Sequence, residues 1–392
     1  MNRGRTLRSR LFRVATAVAT AGALALSLTA PVASAAPPAT DWSKAVIDST
    51  IARNPDPQTI GGWGYTRGLF LYGVYKVYQR LKDPKYLAYI KKWADYHVDA
   101  NGHVNHSFNN LDAMQPGNVL IFLHKETGDP RYKAAADQIR TRITTYPRTP
   151  DGGMWHATSK TNELWADGVF MAQPFLMRYG QAYGDEQYAT EEVLRNLETY
   201  FNRLKADNGL MWHAYDGDRD APWDPKPKSD TGTTSFFWAR AFGWSAITYI
   251  EILDMLPKNH PKRQQLIGYV QHLAKGLARY QDRQTGRWFQ VVDRGDDPDN
   301  WTETSASSMY TTMLDAAVQR GYISRSYQRV ADRGYRGVLA KVRNGADGLT
   351  NIYDISEGTN VGDLNYYYAR KRNTNDLHGL GAFLLMQEQL HP

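Results

Sequence analysis

The sequence predicts an all-α fold, an (α/α)6 barrel of six inner and six outer helices. Three observations carry that expectation. Segments apolar on most faces alternate with amphipathic ones, a short turn of one kind recurs between them, and the first and last segments have no neighbour of their own hairpin.

The apolar segments cover 65–81, 111–126, 165–183, 237–256, 305–320 and 376–390. An amphipathic segment follows each of the first five, over 84–98, 130–146, 186–204, 261–280 and 326–342. Helices apolar all round are buried, and helices with one polar face form an outer layer. Residues 41–54 are a further amphipathic segment with nothing before it. Set beside 376–390 it supplies the sixth outer helix, which favours a closed double ring over an open α-solenoid. Three turns share one pattern, at Asp83-Pro84-Lys85-Tyr86, Asp129-Pro130-Arg131-Tyr132 and Asp185-Glu186-Gln187-Tyr188. Asp is expected to cap the following helix, Pro to fit its first turn, and Tyr to pack back on the partner helix. Strand-like stretches such as 288–292 are short and belong to hairpins at the rim.

Ahead of this repeat, Arg3, Arg5, Arg8, Arg10 and Arg13 precede an apolar run through Leu28, and Ala33-Ser34-Ala35 follows. Basic, apolar and small-residue regions in that order read as a secretory signal peptide over 1–35, with residues 36–392 as a single catalytic domain. The expectation is a secreted, extracellular protein with no membrane attachment after cleavage. Removing the five leader arginines takes the formal charge from +7 to +2, so the basic balance is no argument for nucleic-acid binding. There is no cysteine, hence no disulfide, and stability rests on the core. The 25 tyrosines, 11 tryptophans and 12 phenylalanines suit a large core and a sugar-stacking cleft equally well.

In an alternating double ring the inner helices run the same way, so their N-termini share one rim. Those starts then form one constellation: Tyr65, Asp112, Trp165-Ala166-Asp167, Trp238-Ala239-Arg240 with Trp244, Glu303-Thr304-Ser305, and Asp376-Leu377-His378. Asp167 sits between Trp165 and Phe170, and reads either as an N-cap or as a desolvated carboxylic acid with a raised pKa. Caps account for Asp112, Asp376 and Ser305. They do not account for Arg240, a cation at a helix start, where the dipole disfavours it. Gly-turn Trp-His pairs recur at Trp155-His156 and Trp212-His213, and Tyr215 and Asp216 give His213 more polar company. Absent are HExxH, a P-loop and a GxSxG elbow, so no metal and no cofactor is expected.

The runs Asn110-Leu111-Asp112, Trp165-Ala166-Asp167-Gly168, Met211-Trp212-His213, Trp238-Ala239-Arg240 through Trp244, Glu303-Thr304-Ser305 and Asn375-Asp376-Leu377-His378-Gly379 resemble glycoside hydrolase family 105. These are the unsaturated rhamnogalacturonyl hydrolases, related to the family 88 unsaturated glucuronyl hydrolases. The resemblance spans about Trp63 to Leu390. It implies an (α/α)6 barrel with Asp167 as general acid/base and Asp112 as second active-site carboxylate. It also implies a substrate wall of Tyr65, Trp165, His213, Trp238, Arg240 and Trp244.

The chemistry that the resemblance implies is hydration of the C4=C5 double bond in the 4,5-unsaturated uronate ending a lyase product. The partner is thus such an oligosaccharide, from rhamnogalacturonan, and the enzyme is expected to act as a monomer. A neighbouring Asp112 would raise the pKa of Asp167, and Arg240 would suit a planar carboxylate. Three other readings stay open here: an inverting glycosidase on saturated sugars, a polysaccharide lyase, and a sugar-binding toroid without turnover.

Overall fold

The computed structural model describes residues 40–223 and 230–390. The expected leader, and 224–229 of the loop after Tyr215, lie outside the described residues.

Six apolar helices form the inner ring: α2 (Tyr65–Leu81), α4 (Gly117–Thr127), α6 (Gly168–Tyr183), α8 (Ala239–Met255), α10 (Thr304–Gln319) and α13 (Leu377–Leu390). Each packs on the next, and α13 packs on both α10 and α2, which closes the ring. The outer layer is α1 (Trp42–Arg53), α3 (Pro84–Asp95), α5 (Pro130–Thr144), α7 (Glu186–Leu204), α9 (Arg263–Tyr280) and α11 (Gln328–Leu339). Helices α3, α5, α7, α9 and α11 pack on the inner helix before them, and α1 packs on α13. The expected barrel is therefore present, with one short addition, α12 (Leu364–Tyr368), before the last inner helix.

The burial pattern explains the two layers. Helix α8 buries 14 of its 17 residues, polar Arg240, Ser245 and Thr248 among them, because neighbours surround it. Helix α11 buries only Val330, Ala331, Gly334, Gly337 and Val338, one stripe at helical spacing.

The recurring turns behave as expected in two cases of three. Asp83 accepts from Lys85 N, and Asp129 from Arg131 N, each with Pro in the first turn. Asp185 makes no cap bond and pairs instead with Arg140 Nε. Its backbone (φ −107°, ψ 30°) has left the extended conformation that aims a cap side chain at the first turn. The tyrosines make a further set of contacts. Tyr86 Oη donates to Asp48 on α1 at 2.9 Å, Tyr132 Oη donates to Asp95 on α3 at 2.8 Å, and Tyr188 lies under the Arg140 guanidinium of α5. Each tyrosine thus reaches the preceding outer helix, stitching the outer layer along the chain.

Two inner starts are not helical where the sequence suggested. Residues 111–113 form a 3-10 turn capped by Asn110, and α4 begins only after Pro116, whose ring removes an N–H. Residues Glu163–Trp165 are strand β1, antiparallel to β2 (Ala214–Asp216) with Trp165 opposite Ala214. Three further ribbons complete the short strands among the described residues. They pair β3 (Trp288–Phe289) with β4 (Thr302–Glu303), β5 (Val342–Asn344) with β6 (Thr350–Ile352), and β7 (Ile355–Ser356) with β8 (Arg372–Asn373). Cross-links hold the inner starts together: Trp63 Nε1 donates to Ala113 O, Ser245 Oγ to Ala166 O, and Tyr310 Oη to Ala239 O.

Candidate active site

Strand β1 delivers its chain straight into Asp167. Ala166 N donates to His213 O at 2.8 Å, and Ala166 O accepts from Ser245 Oγ at 2.6 Å, so both sides of that residue are fixed. Asp167 occupies the N-cap position of α6, yet its backbone is already helical (φ −71°, ψ −25°) and its side chain caps nothing. The capping reading is thereby corrected. Its Oδ1 is buried and finds no hydrogen-bond partner among the described residues. Only 8 % of Asp167 is exposed, and burial raises its pKa well above the ordinary carboxylate range, with the Arg240 charge opposing.

Asp112, in the 3-10 turn, has the same orphaned Oδ1. It does not cap either; Asn110 does, accepting from Ala113 N. Burial raises the Asp112 pKa, and the negative charge of Asp167 raises it further. Two desolvated carboxyls in one field titrate as a pair.

His156 is the third member, and the sequence did not place it there. Its ring stacks on Trp165 at 4.1 Å and 5°, and Nδ1 lies 3.7 Å from Asp167 Oδ2 with no hydrogen-bond partner among the described residues. Burial lowers its pKa to about 3, so it is a neutral imidazole at physiological pH. Ligand atoms of Asp112, His156 and Asp167 all fall within 4.8 Å of one another, a donor set that can share a proton or hold a small cation. The repeated Trp-His turn was the available signal for His156. Nothing in the repeat said which of the two histidines would meet the carboxylates.

Around this group the aromatic residues form a packed floor. Trp165 Nε1 donates to Glu163 Oε2, Trp244 stacks on Phe170 at 4.8 Å and meets the edge of Tyr65 at 6.1 Å, and Trp238 lies under the Arg240 guanidinium. The open cavity beside them, about 560 Å³, is lined by Trp63, Tyr65, Arg67, Asp112 and His378 among others. Of the eight expected site residues, Tyr65 and Asp112 line that cavity.

His213 and Arg240 sit deeper, each with one buried nitrogen, Nε2 and Nε, that finds no partner among the described residues. Both are fully buried. His213 Nδ1 bonds Tyr367 Oη at 2.7 Å, and burial holds the ring neutral. Arg240 donates from Nη1 to Ser356 O and from Nη2 to Glu357 O, each at 2.6 Å, which leaves only Nε without a partner among the described residues. Its fork is closed around the β7 strand end. The anomaly of a cation at a helix start is resolved by Glu303, 4.0 Å away and fully buried. Glu303 accepts from Ser305 N, Ala306 N and Ser356 N, so it caps α10 in place of Ser305 and holds the same loop as Arg240.

On the other side of the cavity Asp376 Oδ1 accepts from His378 Nδ1 at 2.6 Å, and His378 Nε2 meets Tyr65 Oη at 2.6 Å. Burial and the nearby Arg240 charge lower the His378 pKa to about 4, against the opposing effect of Asp376. Asp376 itself is held below the usual carboxylate range, burial opposing, by its bonds to His378 and Asn373.

The family model for Glycosyl Hydrolase Family 88 matches residues 42–391. The chain is 28 % identical over 296 residues to the unsaturated rhamnogalacturonyl hydrolase YesR of Bacillus subtilis, covering 73 % of this chain and 80 % of that one. A family 105 glycoside hydrolase structure from C. acetobutylicum superposes with a TM-score of 0.85 at 32 % identity, covering 89 % of this chain and 99 % of the other. The unsaturated glucuronyl hydrolase of Bacillus sp. GL1 shares the fold, with a TM-score of 0.64 at 13 % identity over 89 % and 95 % of the two chains. A carboxyl pair of raised pKa on the rim of a closed helical double ring thus coincides with a match along nearly the whole described chain, and this protein belongs to the glycoside hydrolases of families 88 and 105.

Proposed function

We propose that the protein removes the 4,5-unsaturated uronate from the non-reducing end of lyase-generated oligosaccharides, those of rhamnogalacturonan in particular. The observation that carries this reading is the Asp112–Asp167 pair, two orphaned carboxyls with raised pKa, of which Asp112 lines a cavity walled partly by aromatics and Asp167 lies within 4.8 Å of it. Such a pair retains a proton near neutrality, which is what protonation of a weakly basic enol-ether carbon requires.

In this reading Asp167 gives its proton to C4, and positive charge develops at C5 and the ring oxygen. Water adds at C5 and returns its proton to the carboxylate, so one water has crossed the double bond. The C5 hemiketal opens, and C1 is left as a hemiacetal that releases the remaining sugar. Asp112 stabilises the shared proton, and Trp165 holds His156 flat beside the acid. Arg240 supplies a fixed positive field from behind the floor. Among the described residues Arg67 is the one lysine or arginine lining the cavity, and its Nε and Nη1 are anchored on Ile60 O and Thr66 Oγ1. It is the group proposed to face the uronate carboxylate.

The relatives' substrates support the unsaturated uronate, and the basic-apolar-small leader supports export, with the enzyme acting as a monomer. The test is loss of the conjugated double-bond absorbance on a panel of unsaturated disaccharides. Equal turnover of the saturated counterparts would sink the reading in favour of an ordinary glycosidase, and a rise in absorbance on intact pectin would favour a lyase.

A further inference from the structure

We propose that Asp376 and His378 lock Tyr65 as a hydrogen-bond acceptor toward the cavity, so that its Oη receives an O–H of the bound sugar or of the attacking water. The inference rests on the hydrolase reading for the identity of that donor, and on the hydrogen-bond geometry and buried setting of His378 for the lock.

The argument is one of counting protons. Asp376 Oδ1 accepts from both the backbone N and the ring Nδ1 of His378, and Oδ2 accepts from Asn373 Nδ2. A carboxylate so placed can only accept, so the imidazole proton is on Nδ1. His378 is buried, 6 % exposed, and faces the cationic side chains of Arg240 and Arg67, which disfavour a second ring proton. Its Nε2 is then a bare lone pair. Tyr65 Oη, 2.6 Å away, has one proton, and that proton must point at Nε2. Two oxygen lone pairs are left for the cavity that Tyr65 lines.

A consequence follows for the division of labour. Burial and the nearby carboxyls Asp112 and Asp167 push the Tyr65 pKa far up, so no phenolate forms. With its only proton held by His378, Tyr65 cannot act as the acid that protonates C4. That role is left to the carboxyl pair, and Tyr65 accepts. In a hydration, the attacking water needs one acceptor for the proton it loses and one for the hydrogen it keeps. A sugar hydroxyl needs one as well. Either donor meets the same lone pairs, and Asp376 acts through His378 as a positioning residue, two hydrogen bonds from Tyr65 and three from the donor.

The test uses the whole protein with ¹⁵N-labelled histidine, together with Tyr65→Phe, Asp376→Asn and the double variant. We expect His378 to be neutral and protonated on Nδ1 across the working pH range in the wild type. Each single variant should lose roughly 10- to 100-fold in kcat/KM, and the double variant should be no worse than the weaker single, because both act through one hydrogen bond. A loss concentrated in KM assigns the donor to a substrate hydroxyl, and a loss in kcat at constant KM assigns it to water; both support the lock. A charged or Nε2-protonated His378, or losses that multiply in the double variant, would overturn it. Should no unsaturated disaccharide be turned over at all, the hydrolase reading fails, while the tautomer measurement still decides the lock.

Discussion

His156 Nδ1 and Asp167 Oδ2 stand 3.7 Å apart, buried and facing, without a hydrogen bond between them. Buried polar atoms left in that state are costly unless a ligand bonds to them. In the proposed mechanism the substrate and the attacking water meet the free atoms of the group from outside the gap. Asp167→Asn keeps the shape of the side chain and removes the transferable proton. The expected outcome is a fall in turnover of about three orders of magnitude or more with an unchanged fold, checked by absorbance loss and circular dichroism. Turnover near the wild-type rate would remove Asp167 from the chemistry.

The same carboxyls make stability depend on pH. Asp167 and Asp112 are raised to about 7 and about 8, values that belong to the pair, from ordinary values near 4 in the unfolded chain. The folded state therefore binds more protons than the unfolded one between those limits, and these groups lose stability as pH rises from about 4 to about 8. The buried neutral histidines act in the opposite sense below pH 6.5. The double variant Asp112→Asn/Asp167→Asn should thus gain stability over the wild type as pH rises, read as a difference of denaturation midpoints at pH 5 and pH 8. A constant difference would contradict the raised values.

Arg240 and Glu303 hold one loop from opposite charges, and their removal is expected to act on the fold. Lys at position 240 cannot reach two carbonyls in a planar fork, and Glu303→Ala strips three backbone N–H groups of their acceptor. Either change should cost about 3 kcal/mol in urea unfolding, the scale for breaking a buried charged network. A substrate clamp at Arg240 would instead show a raised KM at unchanged stability.

Arg67 carries the opposite expectation. Partly exposed at the cavity mouth, it makes its bonds with Nε and Nη1 to local oxygens only. Arg67→Gln should raise KM roughly 10- to 100-fold, the worth of a charge-assisted pair, with little change in unfolding free energy. A neutralised substrate, with the uronate carboxylate as its methyl ester, should show no such difference between wild type and variant. Equal losses on both substrates would rule out a carboxylate contact.

The barrel was legible because it is repetitive. Residues such as those of α8 and α11 announce their layer by how many faces are apolar, a property that survives averaging over a whole helix. The site was legible to the extent that inner-helix starts share a rim. Asp112 and Asp167 were expected together, and the structure brings them together with His156. What failed were readings that turned on single backbone angles and on partners far away in sequence. Asp167 looked like a cap, but its helical φ and ψ carry the carboxylate away from the first-turn amides. Arg240 looked like a ligand clamp, but Ser356 and Glu357, more than a hundred residues on, close its fork.

By itself, then, the sequence determined the alternating double ring, its closure through α1 and α13, and the collection of polar residues at six helix starts. Hydrophobic periodicity dictates all three, since each helix must bury its apolar surface and only one ring closes with the helices available. Tertiary structure alone decided which of those polar residues stay unpaired and face the cavity. Whether a buried atom keeps a free lone pair or proton depends on contacts at 2.6–3.7 Å with distant residues, as in Asp376–His378–Tyr65 and His156–Asp167. No local pattern encodes distances on that scale.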